Sequence, residues 1–246
     1  MDRHPLILSM DTATPCSAVA LTSGTRKDGS VVASLSLTGK VTHSRRLLKA
    51  VDYLLQEAGL SWPQIDGIGV SLGPGSFTGL RIGMATAKGL AAAAGKALIG
   101  IPSLDSLAAK CSTSRLICAL IDARKKEVYT ALYRCTDEGL VERVGDIKAI
   151  APEELGGLIT EPVLMIGDGA VLYADLIKEM LGELVLFAPA MLHELSAASL
   201  GMLAGEKLVA GEVLDVAEAE PLYIRSSDAE LNLAHKKNAR TILTSQ

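Results

Sequence analysis

Apolar residues recur along this chain in two rhythms, every second position and every third to fourth, and the changes between them mark its elements. Leu6 to Met10 is a short apolar run, followed by Asp11-Thr12-Ala13-Thr14-Pro15 and a second run from Ala18 to Thr22. This predicts strand, turn and strand. From Val31 the segment VVASLSL alternates, with Val31, Ala33, Leu35 and Leu37 on one face, as a third strand of the same antiparallel sheet. Between Ser44 and Ala58, residues Leu47, Leu48, Val51, Leu54, Leu55 and Ala58 form one stripe opposite Arg45, Lys49, Asp52 and Gln56. That is a surface helix lying on the sheet, ended by Gly59. A strand from Ile65 to Val70, a Gly-Pro-Gly turn, a long helix from Ser76 to Ala94, a strand from Ala97 to Ile101 and a short helix from Ser103 complete the first half.

The second half opens with LICALIDARKKEVYTALYR, an apolar strand, Asp122 at the turn, and a second strand alternating Val128, Thr130 and Leu132 against Tyr129, Ala131 and Tyr133. The opening pattern recurs, with Asp11 and Asp122 each ending an apolar strand. Downstream the pattern predicts a helix after Pro152, the strand VLMIGDG, a helix from Val171, a short strand from Val185 to Phe187, and a helix from His193 to about Ala210. Two duplicated α/β lobes facing a cleft follow, over 1–106 and 107–225, with a polar tail over 226–246.

The long helix carries the richest pattern. Ser76 is placed as its N-cap behind Gly73, Pro74 and Gly75, so the turn either serves only as a strand-to-helix connection or offers N–H groups to an anion. It lacks the Lys-Ser/Thr ending of a phosphate loop. Leu80, Met84 and Leu90 share one side, Ile82, Ala85, Gly89 and Ala93 the other, and Gly79, Gly83, Ala87 and Ala91 recur at four-residue steps. A helix apolar nearly all round needs cover on more than one side. Either the chain's own interior or a partner helix supplies it. The bulky side is expected on the sheet, leaving Ile82, Ala85, Gly89 and Ala93 for a partner.

Composition narrows the function. Lys and Arg total 24 against 28 Asp and Glu, a net charge of -4, and aromatics are only 3%. A global basic field and an abundance of stacking rings are both missing, so the chain is a poor self-sufficient RNA binder, with room left only for a local patch. No apolar stretch approaches a membrane span, and the start MDRHPLILSMD lacks a signal-peptide pattern, so a cytoplasmic protein is expected. Cys16, Cys111, Cys118 and Cys135 form no C-x-x-C pair and read as buried thiols.

The strings SLGPGSFTGLRIGMATAKGLA, ILSMDTATPCSAVAL, HSRRLL and IDARKKEVYTALY, with the later EPLYIRSS, resemble the bacterial TsaB family, formerly YeaZ, over residues 6 to about 225. The resemblance implies an actin-like, sugar-kinase-type (ribonuclease H-like) α/β fold of two lobes. It implies a noncatalytic scaffold subunit for making N6-threonylcarbamoyladenosine at position 37 of tRNA. The partner so implied is TsaD, a related catalytic subunit that carries the metal, in a heterodimer through helices of the first lobe. TsaE, a P-loop ATPase, joins that complex, and TsaC supplies threonylcarbamoyl-adenylate. On this reading tRNA contact is indirect, no cofactor or metal is held, and the chain pairs with itself when TsaD is absent.

TsaD-type chains hold metal with an H-x-x-x-H pair, whereas here His43 is followed at that spacing by Leu47, and His4, His193 and His235 stand alone. The partner face expected is Ile82, Ala85, Gly89 and Ala93, with Gly79 and Gly83 allowing close approach. Asp11, Thr12 and Asp122 lie where actin-like ATPases keep a nucleotide cleft, so a vestigial cleft stands beside the plainer reading that these acids cap reversals. Gly167-Asp168-Gly169 suits either role. The rival functions are an actin-like ATPase or small-molecule kinase using Mg-ATP, and a glycoprotease-like hydrolase, for which no metal ligands or G-x-S-x-G elbow are present.

Overall fold

Leu6–Asp11 (β1), with all six residues buried, and Leu116–Arg124 (β6), with seven of nine buried, each sit at the centre of a five-stranded sheet. The computed structural model describes residues 4–38 and 43–224. β1 pairs antiparallel with Cys16–Ser23 (β2), which pairs with the edge strand Ser30–Thr38 (β3). On its other side β1 runs parallel to Gly67–Gly73 (β4), followed by Ala97–Pro102 (β5). The second sheet repeats the order: β6 lies between Glu127–Cys135 (β7) and Val163–Ile166 (β9), with Val141–Ile150 (β8) and Val185–Phe187 (β10) at the edges. Two sheets with the same hairpin-plus-parallel order are the actin-like, ribonuclease H-type α/β arrangement expected from the sequence.

Helices His43–Glu57 (α1) and Phe77–Ala94 (α2) pack side by side on one face of the first sheet. Leu47, Val51, Leu54 and Met84 meet Leu8, Met10 and Ile68 there, the apolar stripe of each helix burying against the alternate residues of the strands. Ser103–Ala108 (α3) turns Leu104, Leu107 and Ala108 toward Ile117, Ile121 and Tyr133 of the second sheet. The outer face of that sheet carries Leu155–Leu158 (α4), Asp168–Leu172 (α5) and Ala174–Leu181 (α6), which bury Leu155, Ala170, Ile177 and Leu181 against Cys118, Leu120 and Met165. Cys16, Cys111 and Cys118 are buried free thiols and Cys135 is half-buried; burial pushes Cys118 up to about 12 and Cys111 to about 11.

Several expectations are corrected. The last helix, Ala197–Val209 (α7), starts after His193 and does not stay with the second lobe. It covers the first sheet, packing Leu200 and Ala204 on Ile7, Ile99 and Ile101, while the Ser9 hydroxyl donates to Ala197 O at 2.6 Å. The following strap also returns, through a Leu214 to Leu98 bridge and a bond from Leu222 N–H to Leu72 O at 2.7 Å. A division at 107–225 therefore fails after residue 196, because an apolar sheet face needs a cover and α7 supplies it. β8 was not expected: its sequence VERVGDIKAI is mostly exposed, so an edge strand shows little alternation. The helix expected from Val171 is two helices, broken at Tyr173. The 226–246 tail lies outside the described residues.

The lobes are tied at one side. Arg26, in the β2–β3 loop, bonds the Glu206 carboxylate of α7 at 2.9 Å through both Nε and Nη2, and donates Nη1 to Val141 O of β8 at 2.7 Å. Among the described residues no helix is long and apolar enough to cross a membrane.

Candidate functional site

Between the lobes lies a cavity of about 420 Å³. The first lobe lines it with Thr14, Ser76, Phe77 and Thr78, the second with Asp122, Arg124, Lys125, Tyr129 and Asp168, and the strap with Leu222, Tyr223 and Ile224. The size lies within the range of small-molecule pockets. Asp122 N–H donates to Asp168 Oδ1 at 3.0 Å, and Asp122 Oδ2 pairs with Arg124 Nη1 at 3.0 Å. Burial raises the Asp168 carboxyl above the usual range, opposed by the N–H groups of Asp122 and Gly169.

Asp122 does not sit at the turn. β6 continues to Arg124, and the reversal is Lys125-Lys126, with φ of 64°, 53° and 63° at Arg124, Lys125 and Lys126. Both central residues of this two-residue hairpin are left-handed, a geometry that favours Asn-Gly. Three side chains with Cβ atoms in this region cost roughly 1 to 2 kcal/mol each. Asp122 Oδ1 accepts the Arg124 N–H at 2.9 Å, so the acid both supports the reversal and lines the cavity.

Asp11 and Thr12, read from the sequence either as vestigial cleft residues or as part of a capped reversal, do not line the cavity. Asp11 is buried beneath the surface; its Oδ1 accepts the Ala13 N–H at 2.8 Å and its Oδ2 has no bonding partner. Burial raises its pKa to about 6, against the Ala13 bond and the nearby Ser71 and Lys110. Thr12 is also buried, and its hydroxyl donates to Gly79 O at 2.7 Å. The reason is the approach of α2: a Cβ on Gly79 would run into the Thr12 carbonyl oxygen, and one on Gly83 into its hydroxyl. Gly79 and Gly83 therefore face inward and offer nothing to a partner. The small-residue stripe, Ala87 and Ala91 included, serves the interior.

Ser76 caps α2 as expected, accepting the Gly79 N–H at 3.3 Å, and its own N–H donates to Ala13 O at 2.6 Å, so the Gly-Pro-Gly turn binds the β1–β2 loop. Leu80 and Met84 are buried, Leu90 and Ile82 half-buried, and Ala85, Gly89 and Ala93 exposed. The strap covers the flank of this face. Lys88 Nζ donates to Ala217 O and Ala219 O at 2.9 and 3.0 Å, and Arg81 Nε donates to the Tyr223 hydroxyl at 3.1 Å. The Arg81 guanidinium also lies 3.9 Å above the Phe77 ring, which stands 5.4 Å from Tyr223.

Known proteins match this architecture along nearly all of its length. A family model described as TsaD, tRNA N6-adenosine threonylcarbamoyltransferase, matches residues 37–233. The tRNA threonylcarbamoyladenosine biosynthesis protein TsaB of Escherichia coli is 33% identical over 94% of this chain and 99% of its own, and that of Bacillus subtilis 32% identical over 91% and 96%. The chain belongs to the TsaB family. Through the family model it also belongs to the wider family of the TsaD transferase. The solved structure of YeaZ from Pseudomonas aeruginosa superposes on it with a TM-score of 0.73 at 28% identity, covering 89% of this chain and 99% of that one.

His193 bridges Gly167 N–H at 3.1 Å and Ala188 O at 2.8 Å, a brace between α5 and the segment after β10, and His43 opens α1. Among the described residues no three His, Cys, Asp or Glu side chains gather as a metal-holding group. Sequence reasoning missed the Phe77-Arg81-Tyr223 stack, because Tyr223 comes from the strap, far along the chain from the α2 pair Phe77 and Arg81. It also missed the basic tip, because Lys-Lys carries no turn signal; the run of three cations was the available clue.

Proposed function

We propose that this chain is a cytoplasmic, noncatalytic partner subunit in the formation of N6-threonylcarbamoyladenosine at position 37 of tRNA, supporting a TsaD-type transferase. The role in this biosynthesis rests on the TsaB relatives. The partner face is the outer side of α2, with Ile82, Ala85, Gly89 and Ala93, and a two-fold contact between copies uses the same face when the transferase is absent. TsaE and TsaC act in the same sequence of steps. The observation that carries the reading is that α2, covered by the sheet, α1 and the strap, still leaves Ala85, Gly89 and Ala93 exposed. The Mg-ATP reading loses support because Asp11 and Thr12 are packed away from the cavity.

Co-purification with TsaD, followed by tRNA modification assays with each component omitted, tests this directly. Ala85→Arg puts volume and charge at the centre of the face and should weaken TsaD binding by about a hundredfold to several thousandfold, on the order of 3 to 5 kcal/mol, with the fold retained. Met84→Arg, in the core, should unfold the chain. Normal TsaD binding by Ala85→Arg refutes the face.

A further inference from the structure

The cavity between the lobes has a composition that the partner reading does not use. Its first-lobe lip carries an aromatic pair, Phe77 at 37% and Tyr223 at 41% exposure, with the Arg81 guanidinium stacked on one side of Phe77. On the second lobe Arg124 and Lys125 line the cavity, and the exposed tip continues to Lys126, with all three positions left-handed. Strain maintained by cationic residues, where Asn-Gly would close the same hairpin without it, marks a tip kept for its charge. Deeper in, Asp122 and Asp168 oppose an anion but accept hydrogen bonds from hydroxyl or amino donors. A site with rings on one lip, cations on the other and acceptors at its base suits a nucleotide whose phosphate stays outside. The relatives' names supply a macromolecule of that chemistry, a tRNA.

We propose that the mouth of this cleft is an RNA contact. An unpaired nucleotide of the tRNA seats its base on Phe77 and Tyr223, and the adjoining phosphates lie along Lys125 and Lys126, while Arg124 stays paired with Asp122. Stacking on rings tolerates any base, and the tip reads charge, so the contact positions the tRNA rather than selecting a sequence. It places local positive charge on a chain whose overall charge is negative. The inference rests on the proposed role in tRNA modification, and it adds a direct contact where the sequence implied an indirect one.

The test uses the full chain in complex with TsaD and a fluorescein-labelled, unmodified tRNA transcript, titrated at several salt concentrations. Lys125→Asn with Lys126→Gly installs the pair that the turn geometry favours, so the hairpin is retained and the melting temperature should rise. Binding should nevertheless weaken on the order of tenfold at 0.1 M salt, and the salt slope should fall by about two. Phe77→Leu should weaken tRNA binding at least fivefold while leaving dextran sulfate binding unchanged. Higher stability combined with weaker tRNA binding supports the site, since a purely structural tip would move only the first. Unchanged affinity and slope in both variants, or equal losses for tRNA and dextran sulfate in Phe77→Leu, overturn it. So does equal tRNA binding by TsaD alone and by the wild-type complex. Failure of the underlying reading appears separately, as a wild-type chain that neither co-purifies with TsaD nor is needed for modification.

Discussion

The two lobes share a strand order and a way of docking a helix, yet they have been put to different uses. In the first lobe a glycine, Gly79, lets α2 touch the end of β1 at Thr12; in the second, Gly167 lets the start of α5 touch β6 at Leu120. From there they diverge. α2 runs on for 18 residues between its Ser76 and Gly95 caps, whereas α5 breaks after five at Tyr173. Asp11, the last residue of β1, is buried, and Asp122, two residues before the end of β6, lines the cavity. Repeated topology reproduces backbone positions, while the side chains around each acid decide whether it meets water. The first lobe offers a helix face, and the second supplies the acids and cations of the cleft.

The strongest challenge to the parallel is Gly79→Ala. A methyl group there meets backbone that cannot swing aside, so a loss of about 3 kcal/mol or more is expected in urea unfolding. A small effect would mean that the approach of α2 to β1 is not the fixed point of the first lobe.

Asp11→Asn probes the contrast between the acids. Because the folded Asp11 holds its proton up to about 6, against 3.8 for the ordinary group, its contribution to stability is intact below about pH 4 and lost as pH rises through 6. The variant cannot ionise and keeps an oxygen for the Ala13 N–H. Its stability should exceed that of the wild type by about 2 to 3 kcal/mol at pH 8, with the difference shrinking toward pH 4. Parallel pH profiles of melting temperature would show that Asp11 does not ionise in isolation from water.

Between the lobes, Arg26→Met should cost about 2 kcal/mol, as the Glu206 carboxylate and Val141 carbonyl lose charged hydrogen bonds. Small-angle scattering should show the lobes spreading, and an unchanged envelope would assign their relative placement to α7 alone. The smallest effect is expected on the outer side of α2. Gly89 is exposed, with nothing within 4 Å of an added Cβ, so Gly89→Ala should stabilise by about 0.5 to 1 kcal/mol in the same urea titration. Destabilisation would show that the outer and inner glycines of α2 are not the different kinds of position they look.

Local pattern alone determined a good part of this protein. The apolar runs that became β1, β6 and β9, the amphipathic stripe of α1, and both ends of α2 are set by neighbours within a few residues, where burial period and capping chemistry act. The string from Ser71 to Ala91 and the doubled strand-Asp-strand pattern likewise carried the family and the two-lobed fold. Tertiary structure alone decided which lobe α7 would cover, because an apolar helix carries no address and goes to the open sheet face. It also decided that Gly79 and Gly83 would bury against Thr12 rather than face a partner, and that Asp11 would be enclosed while Asp122 stayed at the cleft. The Phe77-Arg81-Tyr223 stack and the Lys125-Lys126 tip come together only across the fold. Such assignments depend on which surfaces meet, and periodicity describes one surface at a time.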